Sequence, residues 1–481
     1  MDIHIKSGKL EVLEGRCLLI LATKDGKLLN GFDAAAEQLK PFAESGEFGK
    51  AAGGNIYLTQ PQGIKAQRLL FFNVGEKVNK PEDLRKASAS AWKILRGKGF
   101  KEVLFSLDGL EDDAVRAVLE GFILADYQYT DLKSEKDKLP GRLESLTLHD
   151  NRGCGEKVAR WQAICSGTMR ARDLSQMPAN LLHPERMAEL ASEWAEPCGY
   201  KATILDEAAI KKEGMGSFYS VGYGSDRESR FIIMEYEPEQ PSGKTVVLVG
   251  KAVTFDSGGL SLKPSGGMAE MKGDMGGGAA VIGTMSVLRD AGCKHRVIGL
   301  VPAAENMPSS KATRPSDVVT SLSGLTIEIN NTDAEGRLIL ADALTYAARY
   351  KPDFVVDYAT LTGACLVALG PGVCGVMGNH QGLVDTILKA SKTVNEPFWQ
   401  LPLVDEYNEF LKSPVADISN ISSSKWGGTI TAGLFLQRFA AEYKWAHCDI
   451  AAAILEKGNA YSTTGGNGTG VRMSVEMLED L

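Results

Sequence analysis

The sequence predicts an α/β protein in two parts: a smaller N-terminal α/β domain and a larger C-terminal α/β domain with a mostly parallel central sheet covered by helices. Three observations predict this. A chain of 481 residues exceeds what one compact core usually organises. Short apolar runs alternate with helix-period patterns along most of the length. The polar stretch Ser134–Pro140, followed by Asp150–Glu156 with Gly153 and Gly155 inside it, interrupts that alternation. The expected division is residues 1–150, a linker helix over 151–174, and a second domain over 175–481.

In the first part, Cys17–Ala22, Arg68–Val74 and Glu102–Leu107 are apolar runs of strand length, and Pro81–Leu95 and Asp112–Leu124 carry the helical period. Its glycine turns, Ala52-Gly53-Gly54 and Gly75, resemble the start of a phosphate loop only weakly. Lys157–Leu174 reads as the helix leading onward, and Met177-Pro178-Ala179-Asn180 with His183-Pro184 as a turn before helix Glu185–Trp194. From Lys244 the pattern becomes strand Thr245–Val249, helix Gly278–Asp290, strand Arg296–Pro302, strand Leu325–Ile329, helix Leu340–Tyr350 and strand Phe354–Tyr358. Sites in such sheets lie beyond the carboxyl ends of the strands.

Composition narrows the function. With 44% apolar and 24% charged residues, the chain is ordinary for a globular protein. A net charge of −8 argues against a general nucleic-acid binder. The 8 cysteines are scattered without a Cys-x-x-Cys pair, which fits reduced thiols in the cytoplasm. Met1–Ile20 carries six charged side chains (Asp2, Lys6, Lys9, Glu11, Glu14 and Arg16) and no signal-peptide apolar core. Phe354–Met377, the most apolar long window, is broken by Asp357, glycines and Pro371, so it reads as buried strand and loop and not as a membrane span.

The chemistry concentrates after the predicted strands. Asn330–Leu338 packs Asp333, Glu335 and Arg337 into one short stretch. If the strand geometry of Leu325–Ile329 continues, Asp333 and Glu335 lie two apart and face the same side. Two carboxylates that close repel unless a cation sits between them. Upstream, the segment from Gly250 to Pro264 supplies Lys251, Asp256 and Lys263, and Met271–Met275 supplies Asp274 ahead of Gly276–Gly278. Four carboxylates balance two divalent cations, and metals about 3.5–4 Å apart can hold both a substrate carbonyl and an attacking water. None of these segments contains histidine. An oxygen-rich set leans toward Mn, Mg or Zn in a bridged-carboxylate cage. Singly, each of these residues is better read as a helix cap, a surface lysine or an ion-pair partner. Their joint occurrence, in order and at these spacings, is what points to a site.

The segments Val249–Pro264, Met271–Ala280 and Asn330–Ala343 resemble the signature blocks of the leucine aminopeptidase family, the cytosolic two-metal aminopeptidases. The likeness continues through Asp357–Gly370, Pro397–Asn420, Trp426–Thr431 and Trp445–Ala451, and is looser in the N-terminal part. The resemblance implies hydrolysis of the N-terminal residue, preferably leucine or another apolar one, from peptides. It implies that Lys251, Asp256, Asp274, Asp333 and Glu335 hold two divalent metal ions (Mn or Zn, with Mg or Co as alternatives), Asp256 and Glu335 bridging and Lys251 ligating as a neutral amine. It implies that Lys263 polarises the scissile carbonyl and that Arg337 seats a bicarbonate serving as general base. Met271, Thr360, Gly363, Ala451 and Ile454 would surround the first side chain, with Asn331 and Leu361 also in the substrate-binding set. It also implies a cytoplasmic homohexamer acting on peptides, away from membranes. Ala452 and Thr469 depart from the family's commoner residues without touching a ligand. The competing expectations are a catalytically dead scaffold, against which the intact ligand set argues, and an added DNA-binding role as in some bacterial relatives, which the acidic balance does not favour.

Overall fold

The computed structural model describes residues 1–481 apart from Ser242 and Glu456, with the side chains of Asp137 and Leu455 also left aside. Compactness divides the chain into one unit, Met1–Cys165 with Gly458–Thr463, and a second, Ser166–Lys457 with Thr464–Leu481. The division falls inside one long helix, Gly155–Gln176, where the sequence suggested a linker helix.

The first unit is built on strands β1 (Asp2–Lys6), β2 (Leu18–Ala22), β3 (Asn55–Leu58), β4 (Leu69–Asn73), β5 (Glu102–Ser106) and β6 (Ser145–His149), in the order β1-β6-β5-β2-β4-β3. Every ladder is parallel except that between β3 and β4. Helices α1 (Asp33–Ser45), α2 (Pro81–Gly97) and α3 (Asp112–Ala125) connect them. All residues of β2 and β4 are buried, which explains their unbroken apolar sequence: central parallel strands are covered on both faces. β1, β3 and β6 escaped the sequence reading, as did helix α1. β1 is an exposed edge strand, and β6 alternates polar with apolar residues inside a polar region. Segment Gly458–Thr463, expected in the C-terminal domain, belongs here. Tyr461 Oη donates to Glu82 Oε1 at 3.1 Å, and Lys93 Nζ donates to the Asn459 carbonyl at 3.2 Å.

The second unit carries a nine-stranded sheet from β7 (Lys201–Leu205), β8 (Arg230–Tyr236), β9 (Thr245–Gly250), β10 (Ala252–Asp256), β11 (Arg296–Asn306), β14 (Phe354–Ala359), β15 (Cys374–Gly378), β16 (Phe398–Gln400) and β18 (Lys444–Asp449). Five ladders are parallel and three antiparallel. A small sheet joins β12 (Asp317–Thr320), β13 (Thr326–Ile329) and β17 (Ile418–Ser419). Strand alternation sorts the core. Val246, Leu248 and Val356 pack on one face, and Val247, Val249 and Val355 on the other. Burying each such side chain contributes about 1.5–3 kcal/mol, so both faces require cover. Helices α4 (Gly155–Gln176), α5 (Pro184–Glu193), α6 (Gly276–Met285), α7 (Gly336–Ala347) and α8 (Gly363–Leu369) follow in chain order. His183, which the sequence left in a turn, is the N-cap of α5 and accepts from Arg186 N. No helix among the described residues is long and apolar enough to cross a membrane.

Candidate metal centre

Lys251 sits in the break between β9 and β10, held by its N–H to the Tyr358 carbonyl (3.0 Å) and by Gly278 N–H to its own carbonyl (2.7 Å). Its side chain passes directly over Gly336, where a Cβ would lie 2.6 Å from Cε and Nζ, so only glycine leaves the passage open. Lys251 Nζ meets Asp274 Oδ2 at 2.8 Å, Glu335 Oε1 at 2.9 Å and the Thr360 carbonyl at 2.9 Å. Three acceptors match the three donors of a charged ammonium. Burial pushes this amine down, yet Asp274, Glu335 and Asp256 together outweigh burial and hold it above the ordinary lysine range.

Asp256 ends β10. Its Oδ1 accepts from Asn306 Nδ2 (2.8 Å) and Gly258 N–H (2.9 Å), which leaves Oδ2 to meet Lys263 Nζ at 2.9 Å. Lys263 Nζ also meets Asp333 Oδ1 at 2.5 Å, and the acids around this partly exposed lysine overcome its burial and raise its affinity for the proton. Asp274 precedes α6 and its Oδ1 accepts from Thr360 Oγ1 at 2.8 Å. Burial lifts the carboxyls of Asp256, Asp274 and Asp333 above the carboxylate range, Glu335 adding repulsion at the first two and Asp256 at the third.

Strand continuation does not bring Asp333 and Glu335 together. The chain leaves β13 at Ile329 and turns: Asn331 Oδ1 accepts from Asp333 N–H at 2.8 Å, and Glu335, in helical backbone (φ −80°, ψ −33°), is the N-cap position of α7. An Asx turn supplies the convergence that the sequence reading gave to an extended segment. The outcome is still a cluster. Asp256, Asp333 and Glu335 each offer an oxygen, all within 4.8 Å of one another. Asp274 Oδ2 and Asp333 Oδ1 are buried and receive no well-directed hydrogen bond, only the ammonium contacts above. Crowded carboxylates with buried, poorly satisfied oxygens fit hard divalent cations, and the residues present suit such ions.

Arg337 is buried in the first turn of α7. Nη1 donates to the Asn420 carbonyl at 2.8 Å, the guanidinium lies 6.0 Å from the Phe435 ring, and Nε has no hydrogen-bond partner among the described residues. Burial pushes its pKa down to about 10, partly offset by Glu335 and Asp449.

The residues expected to contact substrate come from four segments, at 271, 331, 360–363 and 451–454. Asp449 Oδ1 accepts from the N–H groups of Leu361 (3.2 Å), Thr362 (3.4 Å) and Ala451 (3.3 Å), and Oδ2 from Thr362 Oγ1 (2.7 Å), so one buried acid holds the turn Thr360–Gly363 beside Ala451. Met271 lies in the short helix Met268–Gly273, and Ile454 packs on the end of that helix, 2.8 Å from where a Gly273 Cβ would stand. A Cβ on Gly363 would meet open space. Asn331 spends its side-chain oxygen on the turn just described. Three residues were missed by sequence reasoning: Asn306, which orients Asp256; Asn420, which takes Asn330 N–H on Oδ1 (2.8 Å) and donates to the Asn331 carbonyl (2.7 Å); and Asp449. Asn306 and Asp449 each close a buried strand, the one local signal available for any of the three.

With this geometry in place, likeness to known proteins is decisive. The N-terminal domain of the cytosol aminopeptidase family matches residues 19–136, and that family's catalytic domain matches residues 169–475. The chain belongs to the cytosol aminopeptidase family. It is similar to the cytosol aminopeptidase of Pseudomonas aeruginosa, 42% identical over 94% of each chain. It is also similar to a probable cytosol aminopeptidase of Pseudomonas fluorescens, 40% identical over 100% of this chain and 99% of the relative. Among solved structures it resembles the bottromycin maturation enzyme BotP in complex with Mn (TM-score 0.86, 34% identity, 98% of this chain and 99% of the other). A tomato leucine aminopeptidase variant matches with TM-score 0.87 at 29% identity, over 100% of this chain and 97% of the other. The family resemblance and the two-domain α/β architecture expected from sequence are therefore borne out, and the protein is a peptidase of the aminopeptidase type.

Proposed function

We propose that this aminopeptidase is a two-metal enzyme that removes leucine and other apolar N-terminal residues from peptides. The observation that carries the reading is the convergence of Asp256, Asp333 and Glu335 oxygens within 4.8 Å, with Asp274 and Lys251 alongside. Those five residues would hold two divalent cations. When bound, the pair supplies Lewis acidity toward a carbonyl and lowers the pKa of water. The Mn in the BotP complex favours Mn, with Zn next and Mg or Co as alternatives.

The chain's own groups then divide the work. Lys263 presents a partly exposed ammonium where negative charge develops on the scissile carbonyl oxygen. Arg337, with its buried unpaired Nε, is the seat for bicarbonate as general base, because a guanidinium fork matches a planar oxyanion. Met271, Thr360, Gly363, Ala451 and Ile454 surround the first side chain, the backbone of the turn Thr360–Gly363, with Leu361, fixes the peptide, and Asn331 completes the substrate-binding set. We assign the enzyme to the cytoplasm as a homohexamer.

Exhaustive chelation tests the reading. Hydrolysis of a leucyl anilide should fall to background and return with Mn or Zn. Full activity in protein verified to be metal-free would overturn it.

A further inference from the structure

The glycine turns of the N-terminal unit, Ala52-Gly53-Gly54 and Gly75, take no part in the metal centre. Both are fastened to the carboxyl end of β4 by its last residue, Asn73, which is fully buried. Asn73 Nδ2 donates to the carbonyls of Phe48 (3.2 Å) and Gly49 (2.9 Å), and Oδ1 accepts from Gly75 N–H (2.7 Å). Its backbone takes Gly53 N–H (2.9 Å) and gives its own N–H to Gly54 (2.8 Å). Gly53 and Gly75 hold φ of +103° and +102°, conformations that favour glycine.

Between these fastened turns and one face of α2 lies a cavity of about 770 Å³. That volume, and its position beyond a strand's carboxyl end, are those of a small-molecule site. Phe72, Val74, Ala87 and Ile94 give it an apolar floor, and Lys77, Lys86 and Lys93 line it with positive charge.

The acids that also line the cavity are engaged elsewhere. Glu76 pairs with Lys24 at 2.5 Å, and Asp83 Oδ2 caps α2 by accepting from the N–H groups of Asn79 (2.9 Å) and Lys80 (3.2 Å). The Asp83 carboxylate itself stands in the first turn of α2, so the lysines are the cationic groups left to meet a ligand. Among the described residues Lys77 and Lys93 form no ion pair, Lys93 Nζ giving one hydrogen bond to the Asn459 carbonyl (3.2 Å) and keeping two donors, and Lys86 reaches only Glu82 at 3.6 Å, an acid already bound by Arg85. Burial, and then Arg96, push the Lys93 amine below its ordinary range, a strain that an anion would relieve.

We propose that this cavity binds a small organic anion, a phosphate- or carboxylate-bearing molecule with a flat apolar body, its head on Lys77, Lys86 and Lys93 and its body on Phe72, Val74, Ala87 and Ile94. The site is separate in residues from the metal centre and stands whether or not the two-metal mechanism does.

Calorimetric titration of the metal-loaded enzyme with phenyl phosphate and with phenylacetate tests it, with inorganic phosphate and benzyl alcohol as head-only and body-only probes. At least one aromatic anion should saturate at about 1 mM or tighter, and whichever binds more tightly identifies the head group. Lys77→Gln with Lys86→Gln should weaken that binding at least about tenfold with peptidase kcat and thermal midpoint unchanged. Three results would overturn the proposal: no saturation by either anion, unchanged affinity in the double variant, or displacement by a competitive peptidase inhibitor. Inorganic phosphate binding as tightly as phenyl phosphate would remove the apolar floor from it.

Discussion

Two buried clusters of acids and cations in this chain look alike on paper and behave differently. In the N-terminal unit, Arg85 bridges Glu82 and Glu120 (Nε to Glu120 Oε2, 2.7 Å), Arg116 Nε meets Glu120 Oε1 at 3.0 Å, and all four side chains are nearly inaccessible. Two acids face two arginines, and the paired carboxylate oxygens receive directed hydrogen bonds. In the metal centre four carboxylates face two lysines, two oxygens lack directed bonds, and three acids are pushed toward protonation. Charge burial is therefore common to both. Charge imbalance belongs to the candidate metal centre, and an excess of buried carboxylates is what a site for divalent cations would show.

The sharpest way to break this comparison is to remove one acid from each cluster. Glu335→Gln should cut kcat/KM by on the order of 10³-fold or more while leaving the thermal midpoint within a degree or so, as read by leucyl-anilide kinetics beside a melting curve. Near wild-type turnover with normal metal content would erase the distinction. Glu120→Gln should do the reverse. It takes from Arg85 one of its two acids and from Arg116 a buried ion-pair partner, and costs on the order of 3 kcal/mol, visible as a lowered denaturant midpoint, with activity per folded molecule unchanged.

A smaller effect comes from a lone buried acid in the N-terminal unit. Asp126 Oδ1 accepts from Trp92 Nε1 (3.1 Å) and Leu143 N–H (2.8 Å), and burial pushes its carboxyl up to about 6. The folded form thus holds the proton more tightly than the unfolded chain, whose carboxyl titrates near 4. Its contribution to stability is full below about pH 4 and is lost as pH rises through about 6. Asp126→Asn keeps both bonds on Oδ1 and cannot titrate. It should match wild type near pH 3.5 and exceed it at pH 7 by about 2 kcal/mol. Parallel stability profiles for the two proteins across that range would show that Asp126 does not carry the shift.

Much of the architecture was legible because buried parallel strands must be apolar on both faces, and β2, β4, β9 and β14 announce themselves that way. β1 and β6 were not, since one is an exposed edge and the other alternates within polar surroundings. The return of Gly458–Thr463 to the first unit rests on contacts such as Tyr461 with Glu82, which no local pattern encodes. At the metal centre the acids and lysines stood out because cation chemistry restricts the residue types. The turn that gathers Asp333 and Glu335 did not, because an Asx turn depends on where Asn331 points its oxygen. Asn306 and Asp449 showed only as strand ends, for a related reason: each acts by orienting other groups, and their partners are far away in sequence.

We propose that Asp256, Asp274, Asp333 and Glu335 hold two divalent cations, which requires Lys251 to give up the proton it keeps without them, and counting the bound metal tests this most directly. Metal-free protein titrated with Mn, with bound metal measured by mass spectrometry and hydrolysis recorded at each step, should reach full activity at about two equivalents per chain. Full activity at one equivalent, with no further uptake, would contradict the two-metal account.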